Sequence, residues 1–141
     1  MPSYRYNPCA PCCACKLCPN APLSWAVTAG GWGSPCFNGG GCAPFNGTFE
    51  VPFAFDNGIS CNWQLEIDAT HWVYVEMLRQ AGGQWPFLVF FSAVNVLTEG
   101  QNQSVIYGGN TANCNDSFSL KYSGGNKANA PASVTIAPAT S

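Results

Sequence analysis

Charge is scarce in this chain. Only 9% of its 141 residues are Asp, Glu, Lys or Arg, against roughly 25% in an ordinary soluble domain. Five scattered cations and a net charge of -2 exclude the basic footprint that nucleic-acid binding requires. Disorder is excluded from the other side, because disordered chains combine high charge with low hydrophobicity and here 47% of residues are hydrophobic. Long apolar runs are also missing. The longest, Trp85–Val96 (WPFLVFFSAVNV), has 12 residues and is interrupted by Pro86, Ser92 and Asn95, whereas a membrane-spanning helix needs about 20. The N-terminus, MPSYRYNPC, shows no basic-then-apolar signal-peptide profile. No stretch of ten residues or more carries a helical period, and no P-loop, dinucleotide-binding or G-x-S-x-G motif is present.

Catalytic groups are equally sparse. The one histidine, His71, has no nucleophile–base pair near it in sequence, and a lone histidine at a strand start reads as structural. Glu66 and Asp68 share one strand face, about 6–7 Å apart by strand rise, a separation that suits glycosidase carboxylates but is also the ordinary pattern of a solvated face. Asp56, Asn57, Asp68, Asn115 and Asp116 offer calcium-type oxygens without an EF-hand spacing. The sequence therefore reads as a non-enzyme with no expected cofactor.

Cysteine, proline, glycine and aromatics are what the chain has in quantity. Residues 1–22 hold five of the nine cysteines and five of the eleven prolines; prolines at 2, 8, 11, 19 and 22 exclude a regular helix and a central strand. This predicts an extended Cys/Pro-rich arm over 1–22, followed by one domain over 23–141. In that domain strand-like runs alternate with turn clusters: 23–29, 47–55, 61–68, 71–79, 86–96, 104–107, 117–122 and 133–137. Phe49, Val51, Phe53 and Phe55 fall on one face, as do Cys61, Trp63, Leu65 and Ile67. Asp56-Asn57-Gly58 joins these two runs as a hairpin. The 71–79 run is expected to bury residues on both faces. About eight such strands predict an all-β, two-layer β-sandwich of jelly-roll or immunoglobulin-like type.

The cysteines admit three chemistries. Cys9, Cys12, Cys15 and Cys18 are spaced C-x2-C-x2-C-x2-C, with Cys13 between and Pro19 following, one residue short of a ferredoxin-type iron–sulfur run. The two C-x2-C pairs are too close together for a zinc ribbon, although zinc held by arm cysteines with Cys36 or Cys42 is an alternative. Disulfides are the leading reading: Cys36 with Cys42 around a Gly-rich loop, Cys61 with Cys114 as a staple, and an odd total that points to a free thiol or a bond between chains. Among the aromatics, Trp63 is expected to be buried, and Trp32 (in GGWGSPC) and Phe37 are interface candidates. The sequons at Asn46, Asn102 and Asn115 match a motif short enough to arise by chance.

Cys42, Asn46-Gly47-Thr48-Phe49, Cys61-x-Trp63 and the Pro22–Trp25 strand entry resemble small cysteine-containing β-sandwich proteins of phage structural modules and environmental bacteria. That resemblance implies a virion or extracellular component. Together these readings predict a structural subunit of a self-assembling particle or filament, either a phage decoration, tail or fibre component or a surface fibre. Its partners would be copies of itself or other particle subunits, linked by disulfides. The alternatives are a glycan-binding adhesion module and a small metal-binding protein using the N-terminal cysteines.

Overall fold

The computed structural model describes residues 15–32, 45–68, 71–92, 94–99, 104–125 and 131–139. It is all-β, with eight strands: β1 (Ser24–Trp32), β2 (Phe45–Asp56), β3 (Ser60–Asp68), β4 (His71–Leu78), β5 (Trp85–Ser92), β6 (Ser104–Thr111), β7 (Phe118–Gly125) and β8 (Ser133–Pro138). One helical turn, α1 (Val96–Glu99), lies between β5 and β6. Each strand pairs antiparallel with the next in sequence, and β8 returns to pair with β1 from Trp25↔Pro138 to Gly30↔Ser133. The sheet is thus a closed barrel.

The expected two-layer sandwich, jelly-roll or immunoglobulin-like, is therefore incorrect. Period-2 alternation says only that one face of each strand is buried, a condition that both architectures meet. The β1–β8 pairing decides between them by removing both sheet edges.

Eight strands enclose a space just wide enough for side chains to fill. Trp25, Val27, Val51, Trp63, Val73, Val75, Met77, Val89, Phe91 and Val105 are fully buried, with Phe87 and Ile136 nearly so. Trp25 meets Trp63 and Phe87 edge-on at centroid distances of 5.9 and 5.3 Å, and Phe91 meets Tyr107 likewise at 5.7 Å, a favourable quadrupole arrangement. Trp63 is buried as its alternation requires.

Two local departures from the expected pattern have identifiable causes. Phe55 is exposed because the β2–β3 register shifts between Phe53 and Phe55; a bulge turns the following side chain off the inner face. The 86–96 run stops being strand at Ser92, and Val96 belongs to α1. The Ser92 hydroxyl donates to the Val94 carbonyl and accepts from the Val94 N–H, bonds that draw the chain away from the ladder. The double burial expected for β4 is present: His71, Val73, Val75 and Met77 are buried in alternation, and Tyr74 is buried on the opposite face.

Candidate functional site: a stapled barrel end and a neutral outer wall

The β2–β3 turn lies at one end of the barrel, and its own side chains build it. Asp56 Oδ1 accepts from the Gly58 N–H at 2.7 Å, while Asn57 Oδ1 accepts from Ile59 and Ser60 N–H at 2.9 and 2.8 Å. Gly58 sits at φ +84°, where a side chain would be strained. Arg79 Nη2 donates to the Gly58 carbonyl at 2.6 Å, tying this turn to the end of β4.

Residues 15–22 pass across the same end. Cys15 is disulfide-bonded to Cys61 at the start of β3, and Cys18 to Cys114 in the loop between β6 and β7. These two anchor points lie on opposite sides of an eight-strand circuit, so the segment bridges the barrel mouth. Cys15 belongs to the core, with Leu17, Cys18 and Ala21 packed against it. Trp63 Nε1 donates to the Pro22 carbonyl at 3.1 Å, and the Lys16 N–H donates to Asp56 Oδ2 at 2.7 Å. The segment acts as a plug held by two covalent bonds and by hydrogen bonds from the wall.

This pairing corrects the expected Cys61–Cys114 staple: each of those cysteines bonds to the arm. Cys61 begins β3, whereas Cys114 follows β6, three strands further round the closed wall. The arm supplies a partner to each. In this oxidised form Cys15 is bonded to Cys61 on β3 and Cys18 to Cys114 in the β6–β7 loop, so neither sulfur is a free thiolate. Cys9, Cys12, Cys13, Cys36 and Cys42 lie outside the described residues, as does Phe37. Trp32 ends β1, its backbone paired with Phe45, and its side chain is likewise outside the description.

Among the described residues, the outer wall has two unlike sides. On one side, Thr48, Thr28, Thr135 and Ser119 form an exposed hydroxyl row across β2, β1, β8 and β7, successive members being register partners. Thr28 and Thr48 hydroxyls are 2.9 Å apart, and small Ala26 and Ala137 lie in the next row. On the other side, Tyr74, Phe90 and Ile106 are register partners across β4, β5 and β6; Tyr74 and Phe90 are buried and Ile106 is partly exposed. The partly exposed Trp72 and Leu88 lie beside them. The Trp72 and Tyr74 rings are within 9° of parallel, with centroids 6.3 Å apart. The residues before α1 cover part of this patch: the Tyr74 hydroxyl donates to Asn95 Oδ1 at 2.8 Å and accepts from the Val96 N–H at 3.0 Å.

The polarity of the wall opposes that of a membrane barrel, whose outer face is apolar and whose interior is polar. Here Asn62, Gln64, Glu66, Glu50, Thr28 and Lys121 are not buried, and the interior is apolar. Among the described residues no helix is long and apolar enough to cross a membrane.

Of the remaining polar candidates, Asp68, His71 and Asp116 have structural partners. Asp68 meets His71 Nδ1 at 2.8 Å, bracing the β3–β4 turn. Glu66 is exposed on the outer face of β3. Asp56 and Asp68 lie at opposite ends of β3, so these two carboxylates do not share a site. Asp116 accepts from the Thr111 hydroxyl at 2.9 Å within its own loop. Sequence reasoning missed the role of Asp56 beside the Cys15–Cys61 bond, because the contact to Lys16 spans 40 residues and leaves no local signal.

Comparison with protein-family models, with curated proteins and with solved structures returns no match, so the resemblance to phage and environmental β-sandwich proteins gains no support.

Proposed function

We propose that the protein is a structural subunit that works through its outer wall, assembling with copies of itself or with other subunits into a particle or filament. A phage decoration, tail or fibre component and an extracellular surface fibre are the two settings that fit a disulfide-stapled barrel of this kind. The observation that carries the reading is the pair of unlike wall faces: a hydroxyl row on one side, and on the other the partly exposed Trp72, Leu88 and Ile106, bordered by Glu66 and Glu76. The middle of each strip carries no charge, and interface cores are depleted in charged residues. The filled interior supports the same reading, since it leaves no room for carrying a ligand inside. The five cysteines outside the described residues supply the cross-links, their odd number favouring a bond between chains. Denaturing electrophoresis with and without reductant tests this part. Covalent multimers that collapse on reduction are expected, and a single monomer band in both lanes contradicts cross-linking.

A second reading, a glycan-binding adhesion module, is favoured by one observation: Trp72 is partly exposed on the wall beside Gln64 and Glu66. A planar ring next to hydrogen-bonding side chains suits a sugar face. Loss of glycan binding in Trp72→Ala, with unchanged assembly, would select it.

A further inference from the structure

We propose that, when the Cys15–Cys61 bond is reduced, the two thiolates and the Asp56 carboxylate bind one zinc ion, which then holds the plug in place of the disulfide. The proposal is independent of the assembly reading and rests on three observations. Cys15 Sγ, Cys61 Sγ and an Asp56 oxygen lie within 4.8 Å of one another. Asp56 Oδ2 is 3.5 Å from Cys61 Sγ. Tetrahedral zinc, with Zn–S of about 2.3 Å and Zn–O of about 2.0 Å, places sulfur and oxygen ligands about 3.5 Å apart and two sulfurs about 3.8 Å apart. The sulfur–oxygen edge is thus already formed, and only the two sulfurs must separate, across a Cα–Cα distance of 5.6 Å. The carboxylate is oriented beforehand by the Lys16 and Gly58 N–H groups, each at 2.7 Å, the kind of outer support that metal-ligating carboxylates use. Asp56 is only partly buried, whereas both cysteines are buried. The fourth position is therefore left to water on the Asp56 side.

The chemistry balances with a phosphine reductant. The S–S bond breaks to give two thiols, the phosphine takes oxygen from water to become its oxide, and zinc displaces one proton from each thiol. A softer metal such as cadmium would take the same two sulfurs.

The test uses the full-length chain with Cys9, Cys12, Cys13, Cys36 and Cys42 replaced by serine, reduced by phosphine and titrated with Zn2+ against a chromophoric chelator. One zinc per chain is expected, together with a tetrahedral thiolate spectrum when Co2+ is used. Asp56→Asn should weaken binding at least about 10-fold, and Asp56→His, which returns a zinc ligand, should restore most of it. Restoration separates lost ligation from a disturbed hairpin. The phosphine opens the Cys18–Cys114 bond as well, so Cys18→Ser with Cys114→Ser removes only two thiols that are not ligands in this site and should leave the affinity of the reduced chain within about 2-fold. Failure of the reduced chain to bind zinc, or an affinity indifferent to Asp56→Asn, overturns the proposal.

Discussion

At the scale of single residues, the two central tryptophans differ in one respect that has consequences for stability. Both are fully buried, yet Trp63 Nε1 donates to the Pro22 carbonyl while Trp25 Nε1 has no acceptor among the described residues. Replacing either by phenylalanine removes similar apolar area, but only Trp63→Phe also leaves a carbonyl unpaired. Trp63→Phe should therefore cost about 1–2 kcal/mol more than Trp25→Phe, measured by denaturant unfolding. Equal losses would mean that the bond to the plug contributes nothing net. Tyr107 supports a prediction of pH dependence. Burial, helped by the nearby Tyr122, pushes its phenol from 10.0 up to about 12, and its hydroxyl donates to the Pro131 carbonyl. The folded state thus favours the neutral phenol. Its contribution is fully present below pH about 10, the unfolded value, and is lost as pH rises towards about 12. Tyr107→Phe should flatten the alkaline fall in stability between these limits. An unchanged alkaline limb would show that another group controls it.

At the scale of elements, the strands were legible and their closure was not. The alternation of Cys61, Trp63, Leu65 and Ile67 located β3, and Asp56-Asn57-Gly58 located the turn before it, because both signals are local. The pairing of β1 with β8 joins residues more than a hundred positions apart and has no local signature. The plug was hidden for a similar reason. Proline spacing marks residues 1–22 as non-helical, but it cannot say that Cys15 and Cys18 reach back to β3 and the β6–β7 loop. Disulfides that close loops of 46 and 96 residues restrict the unfolded chain strongly. Replacing Cys18 and Cys114 together by serine should cost about 2–5 kcal/mol, read as a lower thermal midpoint. A change within error would mean that the arm is held by packing alone. In the hairpin, Gly58→Ala should cost about 1 kcal/mol, since φ +84° strains any side chain although no atom stands in its way. A neutral result would show that the turn relaxes.

At the scale of the whole molecule, the scarcity of charge has a spatial counterpart. The described wall carries a hydroxyl row over β2, β1, β8 and β7 and an apolar patch over β4–β6, and its interior is already full. A closed barrel has no free sheet edge through which to add strands, so on this reading its non-covalent contacts are made by side chains of the wall. Composition alone already pointed to a contact surface; the fold adds that the surface is two-sided. Sedimentation equilibrium of the intact, oxidised chain over a wide concentration range tests this most directly. The account predicts a mass that rises above the 15.0 kDa of one chain and falls back when a charge is placed in the hydroxyl row by Thr28→Lys or in the apolar patch by Ile106→Lys. A 15.0 kDa species at every concentration, mixed with no other component, would contradict it.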